Sequence, residues 1–304
     1  MTDLHIQTNG EQLSADALPV EEYDAVVSLG DVIDENREHA KSVQAGERYE
    51  RRGRAFFESL NDHGTPVVAV PGNHDPLDCT RRLTDGLENV TLLHEDATRV
   101  GSGDGTGGCS IVGWGCEQFD FTSAHLAPDY PDIDVGSGTT ATPDTIADTL
   151  LGHAGRYLGG VDDADDLAAN LGIDGREATR QFESSLSMLE ERFETLTAVV
   201  QAASGPGSGP VLVASHVSPF HVPFDRRDKH SHDGDYHTGS LALRLALAAT
   251  GPVACLSGHT HTYGFTAIET TAGHSYAFNP GEGGVASVTV DDTGSVQTES
   301  LDIG

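Results

Sequence analysis

The chain has 304 residues, enough for one large domain or two small ones. Its 48 acidic and 17 basic side chains give a formal net charge of −31 at pH 7, which disfavours nucleic acid and anionic membranes as partners at low salt. No apolar stretch approaches the roughly 18 residues of a membrane span, and no N-terminal run resembles a signal peptide.

The composition also predicts an environment. Lysine is rare and acidic residues are abundant, as in cytoplasmic proteins of high-salt organisms, where screening removes the self-repulsion of the surface. An ordinary acidic protein is the alternative. The four cysteines, at 79, 109, 116 and 255, show no CxxC spacing, so we expect reduced thiols in a cytoplasmic, halophilic protein.

Four short apolar runs predict strands that are buried on both faces, because each is continuous and is bounded by Gly or Pro. They are residues 26–29, 67–70, 211–214 and 253–256. Each run leads directly into a polar segment. Open α/β sheets gather their ligand sites at the carboxyl ends of such strands, so we expect these polar segments to converge.

Other periodicities complete the predicted elements. Helices are expected at 46–63, 145–158, 163–170, 178–203 and 241–249, most clearly at 178–203, where apolar residues recur every three or four positions. Segments 266–268, 276–278, 287–290 and 296–301 are β-like. Residues 90–93 and 111–114 flank a Gly- and Ser-rich turn at 101–108 and predict a hairpin-like pair.

The organisation that we predict is a single domain over residues 1–304. Residues 118–176 are acidic and rich in Thr, Pro and Gly. We interpret about 118–200 as a partly helical insertion that covers part of the site.

Five segments, spread over nearly the whole chain, carry the residue types that a two-metal centre needs. They are Asp3-Leu4-His5, Gly30-Asp31-Val32-Ile33-Asp34, Gly72-Asn73-His74-Asp75, Ser215-His216 and Gly258-His259-Thr260-His261. Asp, Asn and His form an oxygen and nitrogen donor set that suits Mn²⁺, Fe or Zn²⁺ better than a metal that prefers thiolates. In this order and spacing the segments resemble the calcineurin-like metallophosphoesterase superfamily.

The resemblance implies an α/β (α+β) fold, a four-layer αββα sandwich of two packed mixed β-sheets flanked by helices. It also implies a metal-dependent phosphoric ester hydrolase that acts on phosphomonoesters or phosphodiesters, through a hydroxide that bridges two divalent metals. Mn²⁺ is the favoured metal, with Fe and Zn²⁺ as alternatives.

The same resemblance implies a role for each ligand. Asp31 would bridge the two metals. The ligands of the first metal would be Asp3, His5 and His261, and those of the second would be Asn73, His216 and His259.

His74 would be the general acid that protonates the leaving oxygen, and Asp34 would orient it. A nearby carboxylate favours the imidazolium form that an acid catalyst needs. The alternatives are a capping or core histidine at His74 and a turn or helix N-terminal carboxylate at Asp34.

The first motif lies very close to the start of the chain. Only Met1 and Thr2 precede Asp3, whereas typical strands need about five residues. We favour a natural protein that starts upstream of Met1 over a short, frayed strand. A further alternative is that Asp3 and His5 belong to a disordered terminus.

One later segment, residues 216–239, concentrates cationic and titratable groups in an otherwise acidic chain. They are His221, His230, His232, His237, Arg226, Arg227 and Lys229. One interpretation is that part of the segment lines the substrate pocket and binds phosphate oxygens. The other is a solvated loop.

Three further segments are similar to Icc-related phosphoesterases of archaea and bacteria. They are residues 215–220, 237–240 and 279–281. A small-molecule phosphoester is therefore the expected substrate. A nuclease is the second interpretation, disfavoured because it would need a basic groove. A non-catalytic metal-binding interaction scaffold is the third, disfavoured because every ligand and the acid histidine are present. The sequence does not set the substrate or the oligomeric state.

Overall fold

A computed structural model describes residues 1–7, 15–34, 41–101, 108–115, 133–205, 207–226, 237–291 and 293–301. The strands are β1 (Val26–Ser28), β2 (Val67–Ala69), β3 (Val90–Leu92), β4 (Asp96–Val100), β5 (Cys109–Trp114), β6 (Val211–Ser215), β7 (Ala254–Leu256), β8 (Gly264–Thr270), β9 (Gly273–Asn279), β10 (Ala286–Val290) and β11 (Val296–Ser300). The helices are α1 (Val43–Asp62), α2 (Leu77–Thr84), α3 (Pro143–Leu158), α4 (Ala164–Asn170), α5 (Arg176–Ala203) and α6 (Leu241–Thr250). Two short 3-10 helices lie at Ala15–Ala17 and Val20–Glu22.

The strands form two main sheets. The larger has the order β4-β5-β6-β7-β9-β8, with parallel neighbours in the middle and antiparallel strands at both edges. The smaller contains β1, β2 and β3 in parallel. Residues 1–6 run beside β1, and the antiparallel pair β10-β11 follows a turn that is hydrogen-bonded to Thr2 and Asp3.

The two sheets pack face to face between two layers of helices. Strand β2 illustrates the alternation, since Val67 and Ala69 pack toward α1 and α2 while Val68 faces the other sheet. The layer between the sheets contains Leu29, Val70, Leu93, Ile111, Ala214, Leu256 and Phe278. Helices α5 and α6 cover the outer face of the larger sheet. The predicted αββα α/β architecture is confirmed.

The five predicted helices and the four buried strands lie where the sequence predicts them, with ends that differ by at most three residues, whereas helix α2 was not predicted. The predicted pairing of residues 90–93 with 111–114 is wrong. Strand β3 belongs to the smaller sheet, and β5 pairs antiparallel with β4. Strand β4 was not predicted from the sequence, because it is a mostly polar edge strand in which only Val100 is buried. Residues 102–107 of the predicted turn lie outside the described residues.

The helices after residue 142 build a core of their own. Leu150 of α3, Leu167 of α4 and Leu189 of α5 pack together, and Phe220 and Leu241 of the main body join them. Farther along α5, Leu196 and Val200 pack on the larger sheet instead. Because one helix serves both cores, we propose a single domain with an insertion at about 118–200, of which 118–132 lie outside the described residues.

Cys79, Cys109 and Cys255 are free thiols, and Cys116 lies outside the described residues. Among the helices that the structure describes, none is long and apolar enough to cross a membrane.

Candidate metal centre

The predicted ligands lie on the loops that follow β1, β2, β6 and β7, beside the first residues of the chain. That first segment is paired along its length. Asp3 N donates to Gly30 O at 3.2 Å, and His5 N donates to Asp31 O at 3.1 Å. The side chain of Asp3 is buried against these partners. The alternative of a disordered terminus does not match this arrangement.

The backbone at the site is strained. A left-handed conformation is uncommon for a residue other than glycine and often marks a functional site. Five predicted ligands adopt it: Asp3, His5, Asp31, His259 and His261. Among the other described residues, only Glu95 and His221 share this conformation without being glycine.

The first group of ligands consists of Asp3, His5 and His261, whose candidate donor atoms all lie within 4.8 Å of one another. His5 Nε2 lies 3.3 Å from His261 Nε2. His261 Nε2 lies 3.6 Å from Asp3 Oδ1. The three side chains therefore present one carboxylate oxygen and two imidazole nitrogens to a common point.

The second group consists of Asp31, His216 and His259, again within 4.8 Å of one another. Asn73 completes it, because its Oδ1 lies 2.8 Å from both His216 Nε2 and His259 Nδ1. His216 Nε2 is also 3.4 Å from Asp31 Oδ2. On its other side, His216 Nδ1 donates to Leu29 O at 2.8 Å, which leaves Nε2 to face the centre.

The two groups are joined by hydrogen bonds. The backbone N–H of His259 donates to both carboxylate oxygens of Asp3, at 3.1 and 3.0 Å. The predicted acid is attached to the second group, because the backbone N–H of His74 donates to Asp31 Oδ1 at 2.8 Å. The structure thus brings all seven predicted ligands into one site.

The electrostatics fit a cationic occupant. Burial opposes ionisation of Asp31, but the adjacent His216 outweighs it and holds the pKa of Asp31 well below its usual value. Burial likewise opposes protonation of His216, and the Asp31 carboxylate raises its pKa to about 9. Burial, together with His216, lowers the pKa of His259 to about 4. Buried carboxylates need compensating positive charge, and this oxygen and nitrogen donor set suits divalent metals.

Asp34 has two partners. Its Oδ1 forms a hydrogen bond of 2.8 Å with His5 Nδ1. The same oxygen lies 3.1 Å from His74 Nδ1, a close contact without hydrogen-bond alignment. His74 Nε2 points the other way and lies 4.0 Å from Asp31 Oδ2. The carboxylate therefore contacts both a predicted ligand and the predicted acid.

Asp75 supports the site, although the sequence analysis does not include it among the ligands or catalytic residues. Its buried carboxylate accepts hydrogen bonds from the backbone N–H groups of Asp31 and Val32, each at 2.8 Å, and of Gly72 at 3.1 Å. It thereby fixes the turn that presents Asp31. An Asp directly after the GNH segment was the available signal, since Asp in turns often binds nearby backbone N–H groups.

The cationic segment 216–239 is only partly described. Arg227, Lys229, His230 and His232 lie outside the described residues. Arg226 forms an ion pair with Asp144 of α3, and His221 and His237 lie beside the same carboxylate. Within the described part, these side chains contact the helical insertion.

Comparisons with known proteins place these residues in context. A sequence model of the family described as calcineurin-like phosphoesterase matches residues 1–263, which include every predicted ligand. The chain is similar in structure to the sulfate thiohydrolase SoxB of Thermus thermophilus in complex with glycerol, at 12% identity and a TM-score of 0.44, over 95% of this chain and 41% of that one. It is also similar to a dimetal phosphatase from Danio rerio, at 14% identity and a TM-score of 0.39, over 92% and 85% of the two chains. No curated protein matches by sequence.

Proposed function

Because the chain belongs to the calcineurin-like phosphoesterase family, and is thus a metal-dependent phosphoesterase, we propose that it hydrolyses small-molecule phosphoesters with two divalent metals and His74 as general acid. The observation that carries the proposal is that two ligand groups lie side by side, joined by hydrogen bonds from His259 N to Asp3, with His74 Nε2 4.0 Å from the Asp31 carboxylate of the second group.

We assign the ligands as follows. One metal would be held by Asp3, His5 and His261 and the other by Asn73, His216 and His259, with Asp31 as a ligand common to both. Two divalent metals supply, when bound, an activated water and neutralisation of charge on the phosphoryl oxygens. We propose Mn²⁺, with Fe and Zn²⁺ as alternatives, because the ligands are a hard-to-borderline oxygen and nitrogen set.

The chain itself supplies the proton. The Asp34 carboxylate lies 3.1 Å from His74 Nδ1, where we propose that it orients the ring. His74 Nε2 faces the centre, 4.0 Å from Asp31 Oδ2, and is the atom that we propose donates the proton. As water oxygen bonds to phosphorus and the ester P–O bond breaks, the leaving oxygen takes that proton.

The test is hydrolysis of paired aryl phosphomonoesters and phosphodiesters in molar KCl with each candidate metal, using the wild type, His74→Ala and Asp31→Ala. Asp31→Ala should lose metal binding and turnover together. His74→Ala should keep its metal and lose on the order of 10²- to 10⁴-fold in kcat. The exposed His274 of β9 offers a matched control, and His274→Ala should behave as wild type.

Two aryl leaving groups of different basicity sharpen the test. The deficit of His74→Ala should be larger for phenoxide than for the less basic nitrophenoxide, because the more basic oxygen depends more on protonation. A deficit equal for both leaving groups would contradict the acid role. A folded, metal-loaded wild type without turnover above the two variants would favour the binding scaffold. The ratio of the hydrolysis rates for monoesters and diesters then shows which of the two substrate classes the enzyme prefers.

A further inference from the structure

A third group of candidate ligands lies outside the centre described above, where α3 meets the segment after β6. It consists of Asp144, in the first turn of α3, with His221 and His237. Their candidate donor atoms all lie within 4.8 Å of one another. We propose that Asp144, His221 and His237 bind an additional divalent cation of the Zn²⁺ type.

The strongest support is a buried carboxylate behind the two histidines. Asp225 is fully buried and is hydrogen-bonded to His237 Nδ1. It also accepts from the backbone N–H groups of His221 at 2.9 Å and Gly239 at 3.0 Å. Histidines that bind metals commonly donate their second ring nitrogen to such a carboxylate, which fixes the tautomer. His237 Nε2 is thereby directed to Asp144 Oδ1, 3.1 Å away.

His221 completes the group from the opposite side. Its ring centroid lies 4.6 Å from that of His237, with the two planes nearly perpendicular at 82°. Its Nε2 lies 3.9 Å from Asp144 Oδ1, while its Nδ1 lies 3.3 Å from Asp148 Oδ1. Its backbone has the same left-handed conformation as five predicted ligands of the main centre.

The chemistry of the group selects the kind of cation. Two imidazole nitrogens and one carboxylate oxygen are a typical donor set for Zn²⁺, which completes its tetrahedral coordination with a water.

The position of the proposed site suggests a structural role for the cation. His221 follows His216 by only five residues, so the Cα atoms of these two histidines are at most about 18 Å apart. A cation here would tie the N-terminus of α3 to the segment that carries a ligand of the main centre. The insertion would thus be fastened beside the catalytic residues.

The competing interpretation is a network of ion pairs without metal, because Arg226 also contacts Asp144. The two interpretations differ in what Arg226→Gln should change. Removing a cation that competes for Asp144 should leave Zn²⁺ binding equal or tighter. In an ion-pair network, the same change would only loosen the contact between α3 and the segment after β6.

The experiment is a count of Zn²⁺ bound by the full chain after chelator treatment and dialysis, measured by elemental analysis in molar KCl. The wild type and His274→Ala should each bind one equivalent more than His221→Ala. Asp144→Asn changes a side chain that is 60% exposed, so it should fold, and it should bind the additional ion at least about tenfold more weakly.

A second background separates this site from the main centre. The double variant Asp31→Ala, His259→Ala should retain the additional equivalent, and should show a Co²⁺ absorption spectrum that Asp144→Asn abolishes. Equal Zn²⁺ counts in wild type, Asp144→Asn and His221→Ala would overturn the proposal. Loss of the ion in Arg226→Gln would overturn it as well.

Discussion

At the scale of single residues, the Asp34 carboxylate has the most consequential position. One oxygen contacts Nδ1 of both His5 and His74, at 2.8 and 3.1 Å. His5 belongs to the first ligand group, and His74 is the proposed acid. Burial opposes protonation of His5, but the hydrogen bond that His5 donates to Asp34, together with the nearby carboxylates, outweighs it and raises the pKa of that ring. We infer that Asp34 orients a ligand and the acid at once.

That inference predicts a compound defect for Asp34→Ala. Loss of the partner of His5 Nδ1 should weaken binding at the first metal site by about 10- to 100-fold, because outer hydrogen bonds hold ligands in place. The value of kcat at saturating metal should also fall, because His74 loses its carboxylate. Metal titrations of activity, with binding measured in parallel, separate the two effects.

Two further variants interpret the result. His74→Ala should reproduce the fall in kcat with unchanged metal affinity. Asp78→Ala, which removes an exposed carboxylate paired with Arg81, should be neutral. Unchanged metal affinity in Asp34→Ala would restrict the role of Asp34 to His74.

At the scale of elements, the turn after β2 brings the backbone of Gly72 very close to the carboxylates of Asp31 and Asp75. A Cβ atom on Gly72 would lie 2.2 Å from Asp31 Oδ1 and 2.7 Å from Asp75 Oδ1. Both carboxylates are buried and hydrogen-bonded to backbone N–H groups, so neither can move without losing partners. The turn can therefore hold the Asp31 carboxylate in this position only while residue 72 lacks a side chain.

We expect Gly72→Ala to displace Asp31, abolish metal-dependent turnover and destabilise the fold by about 1–3 kcal/mol, the usual cost of overpacking. Gly152→Ala is the matched control, since no atom lies within 4 Å of the added methyl group in the middle of α3. It should be neutral or stabilising by up to about 1 kcal/mol, because alanine favours helix. Denaturant unfolding and metal binding measure both variants. Wild-type metal affinity in Gly72→Ala would show that the turn relaxes.

At the scale of the whole molecule, the dominant feature is the net charge of −31. Most of the carboxylates that produce it are exposed, and their mutual repulsion opposes the compact state. Salt shortens the range of that repulsion, from about 10 Å at 0.1 M to about 3 Å at 1 M.

We therefore expect the thermal unfolding temperature to rise steeply between about 0.1 M and about 1 M KCl, over the range in which screening removes long-range repulsion. Circular dichroism melts of the chelator-treated protein exclude metal effects. Sucrose at equal osmolality is the control, since it strengthens burial without screening charge. An unfolding temperature that responds equally to sucrose and KCl would argue against the electrostatic explanation.

Most of the secondary structure could be predicted from local sequence patterns. Continuous apolar runs predicted β1, β2, β6 and β7, because these strands are buried on both faces. Apolar residues spaced three to four positions apart predicted α5, because that helix buries one face. The order of five polar segments after those runs indicated the family. Strand β4 shows no such pattern, because most of its residues are polar or exposed. Its pairing with β5 depends on contacts between segments that a local pattern does not contain.

The sequence by itself therefore determined the fold class, the family and the set of candidate ligands. Only the tertiary structure decided that Asp34 also binds His5, that Asp75 holds the turn of Asp31, and that Asp144 meets His237 across 93 residues of chain. The reason is physical. Periodicity reports the local environment of each residue, whereas contacts between distant segments follow from strand order and helix packing, which no local pattern encodes.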